Sequence, residues 1–428
     1  MNKYGHIIKF ERIRQNIKQV QLSEGICTPS YLSKIESNSI VPSEEILLEL
    51  FNRLDIFQTN SRFTEEEFLE HVRSIYNEAI KFKDKARVSK YLVEIFEEKY
   101  LFAKPSNFYT YILMLSRLKM MVHNQQNDTI SFQKSISKFS NELNPYQSVL
   151  YFTCNGYLHF YNNDFRSSLN SLNQALQFHA QCNLRECESA DLYYFLGLVN
   201  LQLDNIIVAL DFLTKSQSYF HKELLLFRSV ETYIASAVAY KRAQDYDKYL
   251  EYLKLAEKLA IDENMLENLA LIYFNYATYY ALEGNFKKSL VFYHKTLEFT
   301  ADIFVQLKTI YCIVLYNSML FNFNEVLFWC EKGLGIYHSD PNETSKEFVF
   351  HFQVYLSIHT GYENFEKILM QTIDYFVKSD DFRHANKYAL LIANYFNAAG
   401  KYKKATNYYQ LATIYLAKKE NRRFTEEI

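Results

Sequence analysis

Small residues recur inside aromatic segments at an almost fixed interval. Gly156, Gly197, Ala237 and Ala277 are 41, 40 and 40 residues apart, Val314 continues the series after 37, and Ala393 takes the same place near the end. Nine residues past each stands a large apolar residue: Phe165, Ile206, Tyr246, Phe286, Phe323 and Tyr402. Nineteen past each stands a small one: Ala175, Ser216, Ala256, Thr296, Gly333 and Ala412. A further copy over roughly 346–380 is poorly phased. Three coupled columns at one period leave few folds open, because each unit can bury its apolar face only against its neighbours. The columns predict pairs of antiparallel helices. The small residue sits where the second helix crosses the first. The large apolar residue starts the second helix and fills the space beside it. The late small residue admits the next pair.

Glycine and proline support the same conclusion. The chain has nine and five of them in 428 residues, with 36 Tyr and 35 Phe. Helices tolerate few of either, whereas all-β folds need many turn glycines, so the expected fold class is all-α. At 49% apolar residues the chain can build a large core, as two or three domains or one extended array. The segments "LGLVNLQLDNIIVAL" and "ANYFNAAGKYKKATNYYQLA" resemble tetratricopeptide repeats, with intervals stretched beyond the usual period of about 34. That resemblance implies a right-handed superhelical solenoid whose concave face commonly holds an extended peptide.

The first 57 residues read differently. Thr28 can cap a helix and Pro29 suits its first position. Leu32 and Ile35 share one face, leaving Ser30, Tyr31, Ser33 and Lys34 outside. Downstream, Ser43 opens another helix with Glu44 and Glu45 in its positive first turn. Four or five short helices with a polar one after a tight connection form a helix-turn-helix pattern. Arg12, Gln19, Leu22, the string "YLSKIE" from Tyr31 to Glu36, and Pro42-Ser43 resemble the phage-repressor-like (Xre-type) group. The resemblance implies that Arg12 pairs with Glu36, and that Gln19 contacts DNA backbone. It also implies that Thr28, Pro29, Ser30, Tyr31, Ser33 and Lys34 lie where base edges and phosphates are met. Residues 1–40 hold six Lys/Arg against three Asp/Glu, a small local excess in a chain of net charge −2.

The apolar period lapses after residue 57, and Thr64 and Glu67 have capping-box spacing. We therefore divide the chain into a DNA-binding domain at 1–57, a linker at 58–63 and a repeat domain at 64–428 for sensing and oligomerisation.

Other classes of function lack support. There is no HExxH, GxxxxGK[ST] or GxGxxG, and no catalytic constellation, so the expectation is a non-enzyme without cofactor. His179, Cys182 and Cys187 suggest zinc, but a close fourth ligand is missing and no metal is expected. Six cysteines without a paired framework, and no apolar leader in "MNKYGHIIKF", point to a reducing cytoplasm. No run of 18 apolar residues occurs, so no membrane span is expected.

A repressor-like module followed by a repeat array resembles the peptide-sensing regulators of Gram-positive bacteria grouped as Rap, Rgg, NprR, PlcR and PrgX, and NprR-like members most in length and plan. The resemblance covers essentially the whole chain. It implies operator DNA, a short re-imported signalling peptide and a homodimer or higher oligomer as partners, and for some members a response regulator. It places Asn275 against the peptide main chain, where an amide offers donor and acceptor together. Tyr194, Lys241, Arg242, Phe274, Thr278, Tyr311, Asn394 and Asn397 take corresponding inner-face positions, with Lys241 and Arg242 suited to a peptide carboxylate or acidic side chain. The alternative is a repeat-based interaction module that inhibits a signalling partner.

Overall fold

Thr28 Oγ1 accepts a hydrogen bond from the Tyr31 amide at 3.2 Å, and Pro29 occupies the first position of the helix that follows. This helix, α3 (Pro29–Glu36), stands in a module with α1 (Gly5–Arg14), α2 (Gln19–Ser23) and α4 (Glu44–Arg53). The computed structural model describes residues 4–56, 63–98, 100–122, 134–359 and 364–426. Among them the regular elements are helices, with no strand. The expected boundary at 57 and most of the expected linker lie outside the described residues. The chain divides into two units, Met1–Leu259 and Ala260–Ile428.

Within the first unit, Ile8, Leu22, Leu32, Ile35, Leu50, Phe51 and Leu54 form the small core of the four-helix module. Two devices fix α3 to α1. Gly5 lets the backbones meet, since a Cβ there would fall 1.8 Å from the Ile35 carbonyl oxygen. Arg12 grips Glu36 with two bonds, Nε to Oε1 at 2.5 Å and Nη2 to Oε2 at 2.9 Å, and its Nη1 donates to the Ile17 carbonyl at 3.0 Å. The Glu36 side chain is 3% exposed, so its charge depends on these donors.

Helix α1 belongs to a second core as well. Ile7 and Phe10 join Phe68, Phe102, Phe108 and Phe139, which come from α5 (Glu65–Phe82), α7 (Pro105–Val122) and the segments beside α7. The Phe10 ring meets Phe108 edge-on at 5.3 Å. Buried His6 bridges the two cores. Its Nε2 donates to the Phe102 carbonyl at 3.0 Å, which leaves Nδ1 to accept from Asn38 Nδ2 at 3.4 Å, just past the end of α3. Thr64 and Glu67 cap α5 reciprocally, and α6 (Lys85–Glu98) lies between α5 and α7.

The repeats follow as helix pairs: α8 (Pro145–Tyr161) with α9 (Phe165–His179), α10 (Glu186–Gln202) with α11 (Ile206–Lys222), and α12 (Leu226–Arg242) with α13 (Tyr246–Asp262). In the second unit the pairs are α14 (Leu266–Leu282) with α15 (Phe286–Phe299), α16 (Ile303–Met319) with α17 (Phe323–Ser339), α18 (Lys346–His359) with α19 (Phe365–Lys378), and α20 (Phe382–Ala398) with α21 (Tyr402–Glu426). Each expected large apolar residue is the first of its second helix. The small columns do what close approach requires: a Cβ on Gly156 would lie 2.5 Å from Leu172, and one on Gly197 2.7 Å from Leu213. The late small Gly333 admits the following pair, since a Cβ there would meet the Phe352 ring at 2.4 Å.

One expectation needs correction. The residues that open the second helices do not all fill space, because Phe323 and Tyr402 are 46% and 68% exposed. The other four, at the same place in their pairs, are half-buried. A further column was not foreseen. Seven residues past each small residue the backbone is left-handed, at Asn163, Asp204, Gln244, Gly284, Phe321 and Gly400. Asn, Asp and Gly suit that conformation; Gln244 and Phe321 do not advertise it.

A buried charge cluster ties five helices of the first unit. Asp191 of α10 accepts from Arg228 Nη1 of α12 at 2.9 Å, from the Tyr157 hydroxyl of α8 at 2.6 Å and from Arg117 Nη2 of α7 at 3.3 Å. Lys83, just past α5, donates to both oxygens of Glu231 at 2.9 Å. Burial raises the Asp191 carboxyl, but Arg228, Arg117 and Lys83 outweigh it and hold it at about 2.

Two predictions follow from α1. Arg12→Ala strands the Glu36 carboxylate and costs about 3–5 kcal/mol. Amide exchange should then speed up across α1–α3 while α8–α13 keep their protection, and unchanged protection of α3 would contradict the clamp. Burial, only partly offset by the Phe102 carbonyl, pushes the His6 imidazole down to about 4. The unfolded chain takes up its proton near pH 6.5, before the folded chain does, so stability falls as the pH drops through that window. The loss from His6 is roughly 3 kcal/mol at its acid end and absent above neutrality. The stability difference between pH 7 and pH 4.5, measured by urea unfolding, should be smaller in His6→Asn than in the parent; equal differences would contradict it.

Candidate functional site: a recognition helix and the repeat faces

The outer face of α3 is polar because its apolar residues are used inward. Leu32 and Ile35 are buried with Glu36, while Thr28, Pro29, Ser30, Ser33 and Lys34 are exposed. Tyr31 is half-buried and packs against the module's core, so less of it faces outward than the sequence suggested. Gln19, expected to contact DNA backbone, also donates from its Nε2 to Glu36 Oε2 at 2.7 Å, which makes it a third member of the clamp. Its backbone amide lies at the start of α2. Among the described residues Lys34 makes no ion pair. Arg14 is paired with Glu11, and Arg53 caps the Leu22 and Glu24 carbonyls. Beside the capping Thr28, the face thus offers the Ser30 and Ser33 hydroxyls and one ammonium, donors suited to phosphate oxygens and base edges.

In the first unit, Tyr194 is buried beside the charge cluster, its ring 4.9 Å from both Lys83 Nζ and the Arg228 guanidinium carbon. Lys241 lies 5.8 Å from the centre of the Tyr249 ring. Arg242 reaches back to the preceding pair, where it caps the Leu201 carbonyl and meets Asp204 Oδ1 at 2.7 Å. Its charge is matched within the fold, against the expectation that it awaits a peptide carboxylate.

In the second unit, Asn275 is 8% exposed and its Nδ2 donates to the Leu271 carbonyl of its own helix at 2.8 Å. Thr278 is half-buried and bonds back to the Phe274 carbonyl at 3.0 Å. Phe274 packs edge-on against Tyr293, and Lys308 Nζ stands 4.9 Å over its ring. Tyr311 stacks on His351 at 4.2 Å, and its hydroxyl accepts from Lys387 Nζ at 2.6 Å. Asn394 and Asn397 are exposed, and Asn394 Oδ1 accepts from the Tyr409 hydroxyl at 2.7 Å. Lys308 and Lys387 were missed in the sequence. Lys308 lies three residues before Tyr311 on one helix face, a signal that was available; Lys387 reaches Tyr311 only through the fold.

The supposed zinc ligands have other partners. His179 Nε2 meets Ser189 Oγ at 2.9 Å, and the Cys187 thiol donates to Asn77 Oδ1 at 3.2 Å. No metal-holding group occurs among the described residues. A cavity of about 480 Å³ beside Phe365, Glu366, Tyr395 and Lys401 includes none of the expected site residues. No helix among the described residues is long and apolar enough to cross a membrane.

Comparison with known proteins agrees with this arrangement. Residues 8–56 match a helix-turn-helix family. The chain is 25% identical over 406 residues to the transcriptional activator NprA of Geobacillus stearothermophilus, covering 92% of this chain and 98% of that protein. The fold resembles the apo form of the quorum sensor NprR from B. thuringiensis, with a TM-score of 0.71, 18% identity, and coverage of 82% of this chain and 100% of that one. It also resembles NprR in complex with its cognate peptide NprX, with a TM-score of 0.61, 17% identity, and coverage of 83% and 100%. This chain thus joins a helix-turn-helix module to a tetratricopeptide-like array, and it is similar along nearly its whole length to a transcriptional activator.

Proposed function

We propose that this transcription regulator grips operator DNA with α3 and is switched by a short signalling peptide taken up by its repeats. Residues 1–57 read DNA and residues 64–428 sense and oligomerise. The observation that carries the reading is the shared helix α1. Ile8 and Arg12 hold the recognition helix, while Ile7 and Phe10 are embedded beside α5 and α7, so a shift in those helices displaces α3. The likeness to NprR with its peptide supports a peptide as effector.

On this reading Ser30, Ser33 and Lys34 meet DNA, with the Gln19 amide on a phosphate. Phe274, Thr278 and Tyr311 form walls for the peptide, and Asn275 exchanges its Leu271 bond for one to the peptide backbone. A module with so few unpaired cations has few phosphate contacts. Two linked copies on a pseudo-palindrome raise affinity through effective concentration, so the DNA-bound form is a symmetric dimer.

Selection from fragmented genomic DNA, followed by salt titration of the recovered duplex, tests the reader. The full chain should enrich a pseudo-palindromic site. Lys34→Ala should weaken binding and lower the slope of log affinity against log salt by about one per subunit. A truncation lacking residues 1–60 that binds the same duplex equally well would overturn the assignment.

A further inference from the structure

Lys387 is a half-buried cation without an acid. Its ammonium lies 5.2 Å from the ring centres of Tyr311 and Tyr388 and 5.7 Å from that of Tyr355, and it donates to the Tyr311 hydroxyl. Among the described residues no carboxylate pairs with it. Asp381 Oδ2 holds His384 Nδ1 at 2.6 Å, and burial raises the Glu347 carboxyl. The charged neighbour that Lys387 does feel is Arg383, a like charge. Burial first, and Arg383 second, push its ammonium down to about 8.

Lys83 shows what the fold does elsewhere with the same problem. Burial and Arg228 bring it likewise to about 8, but Glu231 takes its ammonium with both oxygens. Lys387 is likewise drawn out of water and has two N–H donors beyond the one given to Tyr311, yet among the described residues no carboxylate pairs with it. A second cation, Lys308, stands over Phe274, and both lysines act on Cys312. The side chains around Lys387 therefore include Tyr311, read above as a peptide wall.

We propose that Lys387, framed by Tyr311 and Tyr355, receives a carboxylate of the bound peptide. This rests on the peptide reading above and moves the acid-recognising role from Arg242, whose charge is matched, to α20. Two sources share this chemistry, the peptide's C-terminal carboxylate and an Asp or Glu side chain.

Three synthetic heptapeptide pools separate the outcomes: acid-free peptides with a free C-terminus, the same peptides amidated, and amidated peptides with one Asp at a random position. Each is incubated with the full chain and the retained peptides are identified by mass spectrometry. One acid-bearing pool should be retained about tenfold better than the amidated acid-free pool, as expected for a charge-assisted hydrogen bond, and its identity names the source. The ratio should fall towards one in Lys387→Gln and be largely kept in Lys387→Arg, with both variants checked for native helix content. Asn275→Ala should lower retention of every pool alike. Equal retention of the pools by the parent chain, or an unchanged ratio in a folded Lys387→Gln, overturns the inference while leaving the peptide reading in place. Retention of no pool overturns both.

Discussion

Helix α1 satisfies two cores at once, and the rest of the functional account depends on that. One side, through Ile8, closes the helix-turn-helix module; another, through Ile7 and Phe10, is buried among the phenylalanines of α5 and α7. Ten residues cannot turn toward one core without leaving the other. Close packing makes such a helix respond in discrete steps. Arg12 and Gly5 then transmit its position to α3, one by a bidentate ion pair and the other by backbone contact. A DNA-reading module on a free tether could not be controlled this way. It would need dimer geometry alone to convey the state of the repeats.

The repeats rest on a simpler constraint, the space for a crossing helix. At Gly156 and Gly197 the neighbouring leucine occupies the volume of the missing Cβ. That is why the columns were legible: exclusion acts on one residue at a fixed place, and leaves a mark at a fixed period. The left-handed turn column was less legible because Phe321 and Gln244 adopt a conformation that their side chains do not favour. The helix-turn-helix module was legible down to its caps, since Thr28 and Ser43 act through local bonds.

The sites were harder to read, because a side chain's partners come from distant sequence. Arg242 looked like a free cation until Leu201 and Asp204 were brought to it. Gln19 looked like a phosphate donor until Glu36 took its amide. Asn275 looked free to hold a peptide but is bonded to Leu271. Lys387 has no local signature, since nothing in the neighbouring sequence distinguishes a solvated lysine from one surrounded by tyrosines. The cationic residues most relevant to a ligand are those the fold leaves unmatched, and the repeat period says nothing about which they are.

The central claim is that peptide occupancy of the repeats changes the grip of α3 on DNA. It is tested most directly by fluorescence anisotropy of the selected duplex with the full chain, with and without a saturating peptide whose binding calorimetry has established. Coupling between sites is typically about 1–3 kcal/mol, so the dissociation constant for DNA should move by at least about fivefold. A peptide that binds the repeats while leaving that constant unchanged would contradict the account.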